Sequence, residues 1–159
     1  MPHVDPLAVD SPLELFLRLG LAVLLGLLLG LDREMRGHDA GIRTHALVAL
    51  SSAMIMISSL LLFDALKTDT YAPDPLRAVQ GLSQAIGFIA AGLIFVRGGT
   101  VRNMTTAANI WVAAAIGIAC GAGQYALVLI GAGLAVLLVT LVKLFERWLP
   151  AEKKASGED

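Results

Sequence analysis

The chain has 159 residues, 57% of them hydrophobic and only 16% charged, with a formal net charge of −1. The charged share lies well below the quarter typical of soluble domains, which points to a membrane domain; no basic excess argues for nucleic-acid binding. A single cysteine, Cys120, excludes an intrachain disulfide framework and cannot build a thiolate metal site alone.

The spacing of charges predicts the spans. Residues 1–11 read as a short extracytoplasmic segment, acidic and proline-containing. Between Arg18 and Asp32 lie 13 uncharged residues, about 20 Å of helix, too short for a hydrocarbon core of about 30 Å. Helix one therefore extends back through Glu14 and Arg18, which pair at i, i+4 and are expected to snorkel to the bilayer surface. Gly26 and Gly30 form a small-residue notch on this helix. No basic stretch precedes it and no small-x-small pattern follows, so it is not expected to be a cleaved signal peptide.

The segment LGLDREMRGHDAGIRTHALV (29–48) then packs Asp32, Arg33, Glu34 and Arg36 between two apolar stretches. Gly37 can end the first helix. One reading is the charged cap that a membrane hairpin needs. The other is a cytoplasmic site in which Asp32 and Glu34 offer oxygens to a hydrated Mg²⁺; Arg33, Arg36 and Arg43 compete for the same carboxylates. No cofactor is predicted, and ligand spacing gives Mg²⁺ no support.

Arg43 to Asp64 encloses 20 uncharged residues, Arg77 to Arg97 encloses 19, and Arg102 to Lys143 encloses 40, enough for two crossings divided at Gly121-Ala122-Gly123-Gln124. On helix three, Arg77, Gln80 and Gln84 share one face, either bonding neighbouring helices or lining an outward-facing polar cavity. Gly87 and Ala91 form a second notch. Helix four opens on Thr105 or Thr106 as cap, with Asn109 placed to reach the first loop. Its ridge of Ala113, Gly117 and Gly121 predicts a central place in the packing.

The expected fold is thus an all-α membrane protein, a bundle of five transmembrane helices at about 12–36, 44–63, 76–96, 105–121 and 124–148. The transmembrane domain covers 12–149, and 150–159 is a disordered cytoplasmic tail. Arg33, Arg36, Arg43, Arg97, Arg102 and the basic C-terminal end alternate with loops poor in Lys and Arg. The positive-inside rule places the N-terminus outside and the C-terminus in the cytoplasm. All five basic residues of the two inner loops are arginines, suited to bidentate contacts with neighbouring acids or lipid phosphates.

These motifs resemble a known family. GLDREMRGHDAGIRTHALV resembles the first signature of the MgtC/SapB family of bacterial inner-membrane proteins. Asp74-Pro75-Leu76-Arg77 through GFIAAGLIF resembles the second, and VRNMTTAANIWVAAAIGIACGAGQY the third. Together they span about residues 20–140. The pattern departs at Asp32 (Glu in the family), Gly81 (Gln), Gln84-Ala85 (Ser-Gly) and Asn103-Met104 (Gly-Leu). The chain is similar to the short form, without the soluble C-terminal domain of longer members. By resemblance the motif residues are Asp32, Arg33, Glu34, Arg36, Gly41, Arg43 and Thr44, then Arg77, Gly87, Gly92, Arg102, Thr105, Thr106, Asn109 and Trp111.

The resemblance implies a small regulatory, virulence-associated protein of the inner membrane. It would be linked to adaptation to low Mg²⁺ and would act on membrane partners such as the F-type ATP synthase. Tight packing ridges and a tiny polar portion fit a protein that binds other membrane proteins and forms a homo-oligomer, a dimer in the simplest case. The rival reading is a transporter or channel for Mg²⁺ or another small ion, which needs carboxylates along a polar path; no Asp or Glu falls mid-span. The three histidines are scattered without a nucleophile–base pair, so the chain is not expected to be an enzyme.

Overall fold

The computed structural model describes residues 11–97 and 99–146. The N-terminal segment before Ser11, the expected end of helix five after residue 146 and the expected tail 150–159 lie outside the described residues.

Helix α1, Pro12–Met35, starts where the physical chemistry favours a start. The Ser11 hydroxyl accepts from the Glu14 N–H at 3.2 Å, and Pro12 occupies the first turn, where its missing N–H costs nothing. It ends in a Schellman turn: Gly37 takes φ +68°, its N–H donates to the Glu34 carbonyl at 3.0 Å, and the His38 N–H donates to Arg33 at 3.1 Å. Helix α2, Ile42–Leu66, follows after six residues. The break expected at Gly121–Gln124 is present. Helix α4, Met104–Gly121, closes with Gly123 at φ +71° and the same pair of bonds, Gly123 to Cys120 and Gln124 to Ala119, both 3.0 Å. Helix α5, Tyr125–Glu146, runs back from that turn.

Two expectations are corrected between these helices. Helix α3 covers Leu76–Leu93 and stops short of 96, and the chain is not purely α. Strands β1, Phe95–Arg97, and β2, Thr100–Arg102, pair antiparallel with Val96 opposite Val101 and Arg97 opposite Thr100. β-branched residues in both strands, with Gly99 at φ +75°, favour an antiparallel hairpin over another helical turn.

Helix α4 touches all four other helices, as its small-residue ridge predicts. A Cβ on Gly117 would collide with the Ala49 carbonyl, and one on Gly121 would lie 2.6 Å from the Ala53 carbonyl oxygen. Across the α1–α2 contact, a Cβ on Gly26 would stand 2.7 Å from the Ala46 Cα, and one on Gly30 2.6 Å from the Ile42 Cα. These close approaches build an alanine-rich core of Ala22, Ala49, Ala53, Ile110, Ala113 and Ala114. The expected notch on α3 behaves differently: a Cβ on Gly87 or Gly92 would meet nothing within 4 Å, and Ala91 is exposed. Helix α3 packs instead through Leu82, Ile86 and Ala90, spaced four apart on one face.

By length and composition α1, α2 and α4 can each cross a membrane, and α5 contributes an apolar stretch, Tyr125–Val139. Arg77, Gln80 and Gln84 lower the hydropathy of α3. Exposed Leu24, Leu28, Leu47, Met54, Leu62 and Leu134 give the helices an apolar exterior.

Candidate polar site at the arginine-rich end

Two arginines of α1 fasten it to α4. At one end Arg18, 1% exposed, donates to Glu14 at 2.7 Å and to the Gly121 carbonyl at 2.9 Å. Glu14 also accepts from the Tyr125 hydroxyl at 2.5 Å. The expected i, i+4 pair is therefore present, but Arg18 does not snorkel outward. The C-terminal carbonyls of α4 are a better partner than the lipid surface, because they carry the negative end of that helix.

At the other end Arg33, 4% exposed, donates from Nη2 to the Thr106 hydroxyl. Thr106 is fully buried and Asn109 is 8% exposed. Around them opens a cavity of about 620 Å³ between the end of α1, the start of α4 and the far part of α5. Its polar lining is Arg33, His38, Arg102, Asn103, Thr105, Thr106 and Asn109, while Val112, Leu138 and Val139 form apolar wall. The Arg33 Nε is buried behind this lining without a hydrogen-bond partner. Among the described residues no carboxylate forms an ion pair with Arg33.

The start of α4 is also unusual. Neither Thr105 nor Thr106 caps it: the cap position is Asn103, held left-handed at φ 65°, and no side chain bonds the first-turn N–H groups. It is Asn103, rather than Asn109, that reaches the first loop, donating from Nδ2 to Asp39 at 3.0 Å.

The carboxylates of the first motif are separately engaged. Asp32 accepts from Arg36 at 2.8 Å on the exposed side of α1. Glu34 reaches across the loop and accepts from the Ile42 N–H at 3.0 Å, capping α2, and a Cβ on Gly41 would clash with its carboxylate. The two acids expected to face a metal, Asp32 and Glu34, each bond a different partner, and no group of three or more His, Cys, Asp or Glu that could hold a metal ion occurs among the described residues. His45, fully buried, donates from Nδ1 to the Gly41 carbonyl at 2.8 Å, which leaves its Nε2 as the acceptor nitrogen, buried and without a partner.

Of the motif residues, Arg33, Arg102, Thr105, Thr106 and Asn109 are brought together. Arg36 and Arg43 are exposed, Thr44 lies away from the cavity lining, and Trp111 lines a separate apolar groove of about 260 Å³ with α3. Arg77, Gln80 and Gln84 are all exposed on the outer face of α3, remote from this site. His38, Asn103, Asp39 and His45 carry contacts that the motifs alone do not mark. The residue pair Gly37-His38 at a helix end, and an asparagine before a helix start, are the signals that point to two of them.

The comparisons with known proteins agree with these motifs. The MgtC family profile matches residues 19–148. The chain is 42% identical over 127 residues to "Putative magnesium transporter YhiD" of Escherichia coli K12, covering 79% of this chain and 59% of that protein. It is 42% identical over 105 residues to "Protein MgtC" of Salmonella typhimurium LT2, covering 65% of this chain and 42% of that protein. It is 37% identical over 118 residues to an uncharacterized protein of Synechocystis, slr0014, covering 74% and 47%. The chain spans about half the length of the curated relatives it matches, and no solved structure matches it. With its apolar helices and a profile match over most of its length, this is a membrane protein that belongs to the MgtC family.

Proposed function

We propose that the chain is a small regulatory protein of the bacterial inner membrane that supports adaptation to low Mg²⁺ by binding other membrane proteins. It would span the membrane five times, with its N-terminus outside and its C-terminus in the cytoplasm, and would not be an enzyme. The observation that carries this reading is the packing between Arg18 and Arg33. The middle of α4 is filled by Ile110, Ala113, Ala114, Gly117 and Cys120 against α1 and α2, with no carboxylate among those described residues to hand a cation across. The F-type ATP synthase is the partner that family resemblance suggests. Recovery of a reproducible partner from membranes grown at low Mg²⁺, together with altered proton-driven ATP synthesis in vesicles, is the expected result. Failure of both measurements overturns the reading.

The outer face of α3 supports self-association. Gln80 and Gln84 point away from the chain's own helices, and polar groups at membrane depth favour protein over lipid. A second copy of the chain is the proposed occupant. The name of the YhiD relative favours the rival, a Mg²⁺ transporter. Cation flux into liposomes that is lost in Asp32→Asn would establish that reading.

A further inference from the structure

Positive and donor groups converge on the cavity at the arginine-rich end. Arg33 brings a permanent cation to its wall, nine-tenths buried, with Nη2 bonded to the Thr106 hydroxyl, Nε buried without a partner, and no carboxylate in ion-pair contact among the described residues. The first turn of α4 lines the same space, and its N–H groups have no side-chain cap, so the positive end of an 18-residue helix faces inward. Arg102, which is exposed, adds a second guanidinium to the lining. Thr105 and Asn109 supply neutral donors. The nearby acids are turned to other tasks: Asp32 to Arg36, Asp39 to Asn103, and Glu34 to the Ile42 N–H.

We propose that this cavity binds a phosphoryl oxyanion, held by Arg33 and Arg102 and by the uncapped N-terminus of α4. Arg33 is buried beside a carboxylate, Asp32, whose bonded partner is Arg36, so a further anion is favourable there, and one resting on a helix N-terminus is its natural complement. The planar forks of two arginines suit a phosphoryl group better than a spherical halide. About 620 Å³ admits a phosphate or a lipid headgroup, and the apolar wall of Val112, Leu138 and Val139 is compatible with either.

The test uses the full chain in a zwitterionic detergent. Its thermal unfolding midpoint is titrated with sodium phosphate against sodium chloride at matched ionic strength. In a second arm it is titrated with phosphatidylglycerol against phosphatidylcholine. Saturable stabilisation in the first arm identifies a free phosphate, and in the second arm alone a lipid headgroup; stabilisation in neither overturns the proposal. Arg33→Gln risks unfolding the chain because it also removes the bond to Thr106, so the decisive variant is the exposed Arg102→Gln. It should raise the half-saturating concentration by roughly tenfold, the loss expected for one charge-assisted hydrogen bond. Lys67→Gln, in the loop at the opposite end, should leave it unchanged. An unchanged half-saturation in Arg102→Gln overturns the proposed site even if the anion stabilises the protein.

Discussion

Arg33 and Thr106 join the last turn of α1 to the first turn of α4 through a buried hydrogen bond. Fifteen positions earlier on α1, Arg18 makes the matching bond to the Gly121 carbonyl, fifteen positions later on α4. The two helices therefore run antiparallel in register over about 22 Å at 1.5 Å per residue, with a cation at each end. Removing the acceptor at Thr106 leaves more of a charged group buried and unpaired. Thr106→Val should lower stability by about 1–3 kcal/mol, whereas Thr106→Ser keeps the hydroxyl and should stay near wild type. Chemical unfolding in detergent measures both.

The glycines of α4 and α3 predict opposite outcomes for the same change. At Gly117 a methyl group meets the Ala49 carbonyl, which belongs to α2 backbone and cannot swing aside. Gly117→Ala should cost about 1–3 kcal/mol through overpacking. At Gly87 a methyl group meets open space. Gly87→Ala should leave the isolated chain as stable as wild type or slightly more so, since alanine is the better helix former by about 1 kcal/mol. Equal losses in the two variants would show that α3 is packed more tightly than the structure has it.

These two glycine sets also show what was legible in the sequence. The helix ends at Gly37 and Gly123 could be read because a left-handed residue after an apolar helix has few other uses. The α4 ridge could be read because three small residues spaced four apart mark one face. The same logic applied to Gly87, Ala91 and Gly92 finds no partner among the described residues, because spacing identifies a face and says nothing of what lies against it. The hairpin was obscured because charge counting treats Phe95–Arg97 as the end of a span, although Phe-Val-Arg-Gly-Gly-Thr-Val-Arg carries a two-residue turn signal. Arg33 and Arg36 look alike in sequence, one turn apart at a helix end. Which one is buried depends on where α4 docks, a tertiary contact that no local pattern encodes.

Helix α3 offers a direct check on self-association. Gln80 and Gln84 are exposed on the chain's own surface, so replacing both with leucine should not disturb its fold. If a second copy covers that face, Gln80→Leu with Gln84→Leu should weaken the oligomer by about 1 kcal/mol per lost interhelical hydrogen bond. Light scattering in detergent would then report a smaller mass at the same concentration. An unchanged mass would remove α3 from the interface.

Glu34 and Gly41 form the tightest side-chain-to-backbone fit in the first motif. The carboxylate accepts from the Ile42 N–H, and the space that a Cβ on residue 41 needs is already filled by Glu34. Gly41→Ala should therefore destabilise the α1–α2 turn by displacing the carboxylate from its capping position. Glu34→Ala should cost about 1 kcal/mol, the usual worth of a helix cap. In the double variant the clash is absent, so the combined loss should be smaller than the sum, with a coupling of about 0.5–3 kcal/mol. Asp32→Asn provides the contrast. Its pairing with Arg36 lies on the exposed side of α1, where an i, i+4 ion pair is worth under about 1 kcal/mol. Near-wild-type stability of Asp32→Asn beside a coupled Glu34–Gly41 pair would show that neighbouring acids of one motif serve different ends: one holds the turn, and the other stays at the surface.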